Sequence, residues 1–108
     1  MLLKDALRIA GLNRLEAEVV AYMLRHPEGY ERDIEENTSL RQPEASSGIN
    51  SLVKRDWVIL IPKKEVGKKG RPLNYYYFDK DKMKEEILEE LSELKNKIVK
   101  AVGVINEL

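Results

Sequence analysis

The last 28 residues, Asp81 to Leu108, place apolar side chains at Ile87, Leu91, Leu94, Ile98, Ala101, Ile105 and Leu108, alternately four and three apart. That spacing draws one stripe along a helix and repeats as the core positions of a heptad. At 1.5 Å per residue the segment predicts a rod of about 42 Å, which outreaches any single core that 108 residues can build. Glu85, Glu86, Glu89, Glu90, Glu93, Lys95, Lys97 and Lys100 charge the remaining sides. An apolar stripe of this length calls for a partner helix, most simply the same helix of a second chain. The alternative is that it folds back on the first helices of its own chain, where Leu2, Leu3 and Leu7 could cover only part of it.

The residues before that segment predict a small helical body. Apolar positions recur from Leu2 to Ala10 with near-helical period, and Gly11 suits the left-handed residue that ends a helix. Asn13 with Glu16 makes a capping box for a second helix carrying Leu15, Val19, Val20, Met23 and Leu24, closed by His26 and Pro27. Gly29 to Thr38 reads as a two-turn acidic helix whose inward residue is Ile34, joined by Tyr30. A fourth helix runs from 42 to 55 with Pro43 at its first position. Ala45, Ile49, Leu52 and Val53 form its core stripe, while Gln42, Ser46, Ser47, Asn50, Ser51 and Lys54 form an outer face that is uncharged until Lys54. Trp57 to Ile61 and Leu73 to Phe78 are strand-like and flank a basic loop containing Gly67 and Gly70, which predicts a β-hairpin. Trp57 is a core residue on this reading, and Tyr75, Tyr76 and Tyr77 pack on both faces of the hairpin.

Composition limits the chemistry. Without Cys there are no disulfides, thiolate metal sites or Cys nucleophiles, which fits a reducing compartment and makes the cytoplasm the default. No apolar run is long enough to cross a membrane, and Lys4, Asp5 and Arg8 interrupt any signal-peptide core. His26 is the single imidazole, and its place at a helix end suits capping of carbonyls. Glu35 and Glu36 are adjacent and diverge around a helix, and no phosphate-loop or metal-ligand spacing is present. An enzyme is therefore not expected, and no cofactor is implied.

The 19 basic and 19 acidic residues cancel overall but not locally. Residues 1–40 carry a balance of −3, residues 41–80 carry +5, and residues 81–108 carry −2. Lys63, Lys64, Lys68, Lys69 and Arg71 lie within nine residues that hold one acid, Glu65. Screening confines exposed charges to about 8 Å at physiological salt, so a local patch can bind phosphates on a neutral molecule. A solvated Lys-rich loop would carry the same pattern.

The order helix, helix, short helix, helix, hairpin, long helix resembles a winged helix-turn-helix module with a C-terminal dimerisation arm. The run SLRQPEASSGINSLVKRDWV, Ser39 to Val58, is similar to the recognition helix and start of the wing in archaeal and bacterial MarR- and TrmB-like transcriptional regulators. KKGRPLNYYYF, Lys68 to Phe78, is similar to the Gly-Arg-Pro-then-Tyr wing of archaeal regulators of that group. The resemblance covers roughly Leu15 to Phe78. It departs at Ser47, where such helices often carry Arg or Lys, and at Gly48, where Ala is usual.

The resemblance implies a mainly α fold with a small antiparallel β-hairpin, a DNA-binding domain over residues 1–80, and a dimerisation helix over residues 81–108. It further implies a homodimer on double-stranded DNA, with the helix 42–55 entering the major groove N-terminus first. Gln42 and Asn50, whose amides can pair bidentately with adenine, are the expected base readers. Ser46 and Ser47 would contact bases or phosphates, and Arg41 and Lys54 would hold the backbone. The wing, residues 62–72, would lay Lys63, Lys64, Lys68 and Lys69 along phosphates, with Arg71 suited to the narrow minor groove. An effector is not legible. The competing reading is a winged-helix module that docks on protein, which the uncharged outer face of helix 42–55 favours.

Overall fold

The computed structural model describes residues 1–62 and 73–108. Among the described residues five helices and three strands follow in the order α1 (Leu3–Ile9), α2 (Arg14–Met23), β1 (Glu28–Tyr30), α3 (Glu31–Glu36), α4 (Gln42–Lys54), β2 (Val58–Ile61), β3 (Tyr75–Phe78) and α5 (Lys80–Asn106). The fold is the expected winged helix. The sheet has three strands rather than a bare hairpin, in the order β1-β3-β2, antiparallel throughout. β1 carries no alternating apolar pattern, because its three residues are held by the ladder itself, with Gly29 opposite Tyr76 and Tyr30 opposite Tyr75.

Local chemistry sets the helix boundaries. The Asn13 side chain accepts from the Glu16 N–H at 2.8 Å, and the Glu16 carboxylate accepts from the Asn13 N–H at 2.9 Å, so the capping box is reciprocal. At the end of α1, Gly11 adopts φ 101°, while its N–H reaches the Arg8 carbonyl and the Leu12 N–H reaches that of Leu7. The end of α4 repeats this arrangement with a residue that has a Cβ. Asp56 stands at φ 59°, its N–H on the Val53 carbonyl and the Trp57 N–H on that of Leu52. Asp79 caps α5 by accepting from the Lys82 N–H at 3.0 Å.

The core joins Val19, Val20 and Met23 of α2, Ile34 of α3, Ala45, Ile49 and Leu52 of α4, and Trp57, Val58, Tyr76 and Phe78 around the sheet. The predicted α4 stripe is thus inside, with Val53 at its edge. Pro43 takes the second helical position rather than the first, one residue beyond Gln42, which is equally free of an intrahelical donor requirement. Gly48 faces α2 so closely that a Cβ would stand 3.0 Å from the Leu15 carbonyl oxygen and 3.0 Å from Val19 Cγ2. α2 and α4 therefore cross almost backbone to side chain at this point.

α5 leaves the body after its first turns. Met83 and Ile87 are buried and Leu91 packs at the core's edge. From Leu94 onward the helix is exposed, with Leu94 40% and Ile105 63% accessible. The molecule is accordingly 67 Å long and only 23 by 20 Å across. The stripe does not fold back on α1 and α2; of its expected interface residues Ile87 is buried in the core of its own chain, while Leu91 is half-buried against that core and keeps one side open.

In an exposed helix a glycine-to-alanine change gains about 1 kcal/mol. At Gly48 the contact with Leu15 opposes that gain, so Gly48→Ala is expected to leave stability level or lower, and Gly48→Val to cost about 2 kcal/mol or more. Asp56→Gly is expected to raise stability by up to about 1 kcal/mol, since it relieves a left-handed residue that has a Cβ. Urea unfolding midpoints of the three variants check both statements.

Candidate nucleic-acid interface

The outer face of α4 is organised as the sequence pattern requires. Pro43, Ser47, Asn50 and Lys54 step by four, three and four along the helix and are all exposed, opposite buried Ala45, Ile49 and Leu52. Among the described residues nothing hydrogen-bonds the side chains of Ser47, Asn50 or Lys54. Gln42 is exposed at the shoulder of this stripe, and its Nε2 donates to Ser46 Oγ at 3.2 Å. Ser46 itself is half-buried and donates its hydroxyl to the Glu31 carboxylate. Ser46 thereby ties α4 to the start of α3, the joint of the helix-turn-helix, and is engaged within the fold rather than presented with Ser47.

The start of α4 is closed by carboxylate. Glu44 Oε1 accepts from the Arg41 N–H at 3.0 Å and Oε2 accepts from the Arg14 guanidinium. The Arg41 backbone N–H, and after it Arg14, hold the Glu44 carboxyl below the ordinary carboxylate range. This negative group sits where the helix dipole is positive, so the Arg41 amide is already satisfied. The exposed Arg41 side chain remains at that end.

A network that the sequence did not reveal fixes the other end. Arg55 Nε donates at 3.0 Å to Oε2 of Glu16, a residue 3% exposed, and its guanidinium lies 4.8 Å from the ring centroid of Trp57. The Trp57 indole N–H donates in turn to Glu86 on α5. Glu16 thus serves both its own capping box and Arg55, 39 residues away. Sequence spacing carries no sign of such a pairing, and it removes Arg55 from the basic surface that the segment charge suggested.

The flank of α4 is acidic. A cleft of about 330 Å³ beside Gln42 is lined by Glu31, Arg32 and Glu35 together with Tyr30 and Asn74, so two carboxylates outnumber one guanidinium there. In the sheet, Tyr76 turns inward and is buried, Tyr77 is exposed and Tyr75 is half-buried with its ring edge-on to Tyr30 at 4.8 Å. Burial pushes the Tyr76 hydroxyl above its ordinary value, with the charge of Glu31 adding to the shift. His26 is exposed and its ring lies 5.0 Å from that of Tyr22, so stacking rather than carbonyl capping describes its contact. A second cleft, about 580 Å³, lies between α1 and α2 against Leu2, Leu3, Tyr22 and His26, crossed by the Lys4–Glu18 ion pair at 2.7 Å. The expected wing residues Lys63, Lys64, Lys68, Lys69 and Arg71 lie outside the described residues. Among the described residues no group of three His, Cys, Asp or Glu is placed to hold a metal ion, and no helix is long and apolar enough to cross a membrane.

No family model matches the sequence, and no curated protein does either. Solved structures do match in shape. A possible transcriptional regulator from Methanosarcina mazei Go1 superposes with a TM-score of 0.72 at 12% identity, over 93% of this chain and 85% of that one. TrmBL2, described as an archaeal chromatin protein with a novel mode of DNA binding, follows at 0.66 and 16% identity. That match spans 97% of this chain but 38% of TrmBL2. NadR in complex with 4-hydroxyphenylacetate matches at 0.61 and 15% identity, over 97% of this chain and 73% of NadR. The chain therefore shares the winged helix-turn-helix fold of these structures.

Because Glu44 has a folded-state value below its unfolded one, the hydrogen bond it accepts from the Arg41 amide, and after it that from Arg14, stabilise above the unfolded value near 4.3. That contribution is lost as pH falls through the lower folded value. Glu44→Gln is expected to be less stable than the parent at pH 7, with the gap closing as pH drops below about 4. Thermal unfolding of both proteins across the acid range measures it.

Proposed function

We propose that this chain is a transcriptional regulator that binds specific duplex DNA as a homodimer, with α4 in the major groove. The observation that carries the reading is the exposed face of α4. Asn50 and Ser47 lie at its centre, unpaired among the described residues, with Lys54 exposed at one end and Arg41 at the other. A face of amides and hydroxyls flanked by single cations suits base edges between two phosphate contacts. Asn50 is the principal base reader and Gln42 the second, its amide free to exchange Ser46 for an adenine edge. Ser47 and Pro43 lie close against the groove floor. Arg41, Lys54 and the wing residues Lys63, Lys64, Lys68, Lys69 and Arg71 take the backbone and minor groove. Ser46 positions α4 through Glu31 rather than reading a base. The structural neighbours, among them a possible transcriptional regulator and a chromatin protein with a novel mode of DNA binding, support this class.

The acidic flank at Glu31 and Glu35 is part of the mechanism. These carboxylates repel phosphate on one side of α4 and restrain non-specific affinity, so that occupancy depends on base contacts. The competing protein-docking reading draws on the same uncharged face. It differs in requiring no sequence preference from DNA.

Selection from a randomised duplex library is expected to enrich a two-fold-related sequence. Asn50→Ala should then lose about 1–3 kcal/mol of discrimination at one base position in each half-site. Lys54→Ala should weaken all sequences alike and lower the salt slope by about 1 for each phosphate lost per protomer. Fluorescence anisotropy over a salt series reads both, and an unselected library with Asn50→Ala indistinguishable from the parent overturns the reading.

A further inference from the structure

We propose that two copies of this chain join through the free part of α5 with the helices antiparallel, crossing between Val99 and Lys100; this orientation rests on the homodimer reading above. The open stripe begins at Leu91 and Leu94, since Ile87 is already buried in its own core, and continues through Ile98, Ala101, Ile105 and Leu108. Antiparallel pairing about that crossing sets Leu91 against the partner's Leu108, Leu94 against the partner's Ile105, and Ile98 against the partner's Ala101. Every open stripe position is then covered, and the small Ala101 always meets a large residue. A parallel pair in register would instead stack Ala101 on Ala101 and leave an underfilled layer.

Charge along the helix points the same way. Glu85, Glu86, Glu89, Glu90 and Glu93 are uninterrupted by a base, and Lys95, Lys97 and Lys100 are uninterrupted by an acid. Parallel helices would hold the two glutamate blocks side by side. Antiparallel helices keep the nearest of these glutamates, the two Glu93, about 20 Å apart at 1.5 Å per residue, well beyond the roughly 8 Å reach of exposed charges at physiological salt. A parallel pair would offer one compensating contact per side, Glu90 with the partner's Lys95, and an exposed pair of that kind is worth at most about 1 kcal/mol.

Two of the exposed valines border the stripe, whereas Val99 and Leu88 lie away from it. Val102 and Val104, 53% and 63% accessible, flank the stripe on its two sides. In the antiparallel arrangement they face the partner's Lys95 and Lys97, whose alkyl stems can lie over them while the ammonium groups reach water.

The absence of cysteine makes the test direct. Leu94→Cys and Ile105→Cys fall on exposed parts of α5 and leave the body's core untouched. After mild oxidation of full-length protein, the two variants mixed should form a covalent dimer several-fold more abundant than either variant alone. Ready self-cross-linking of each variant alone overturns the antiparallel arrangement. So does a mixture that fails to cross-link although sedimentation shows a dimer, because the arms are then not the paired surface. Sedimentation of the parent chain as a monomer at high concentration removes the homodimer itself, and that result is separate from the cross-linking pattern.

Discussion

The approach of α4 to α2 at Gly48 governs the rest of the structure. With a Cβ missing there, the Leu15 carbonyl and the Val19 side chain come within ordinary contact of the α4 backbone. The crossing buries Ala45, Ile49 and Leu52 completely, and it leaves the opposite stripe of the same helix pointing outward. Which residues face solvent on α4 is a consequence of that one contact. Everything proposed about recognition depends on it.

Two polar joints hold α4 once the crossing has placed it. At the start, Glu44 accepts from the Arg41 amide and the Arg14 guanidinium while Ser46 reaches Glu31. At the end, Arg55 bridges buried Glu16 and the Trp57 ring, and Trp57 reaches Glu86 at the root of α5. The base of the long helix is therefore coupled to the end of α4 through one indole. In a dimer this joint would set the angle between arm and reading head. The same joints redistribute charge, because part of the basic segment is consumed internally and the exposed cations on α4 are Arg41 and Lys54.

Much of the fold was legible because its signals are local. The Asn13–Glu16 capping box, the left-handed Gly11 and the α4 core stripe each rest on residues within a few positions of one another, and all three are present. β1 was not legible, because Glu28, Gly29 and Tyr30 become a strand only when β3 supplies the hydrogen-bonding partner. The left-handed Asp56 was equally hidden, since Asp tolerates that conformation without announcing it as Gly does. Of the α4 residues expected on its outer face, Gln42, Ser47, Asn50 and Lys54 lie exposed. Ser46 departs from expectation because its partner, Glu31, is 15 residues away on another helix.

The sequence by itself determined the periodicities: which face of each helix is apolar, where the helices begin, and that the last helix is too long for its own body. Those follow from spacing, which is a property of one chain segment at a time. Only the tertiary structure decided which apolar stripe is spent at home. Met83 and Ile87 go into the core and the residues from Leu94 onward do not, because the body ends where its packed elements end and not where the heptad does. It also decided that Arg55 is structural and Lys54 is not, a distinction between neighbours that depends on Glu16 lying across the helix crossing.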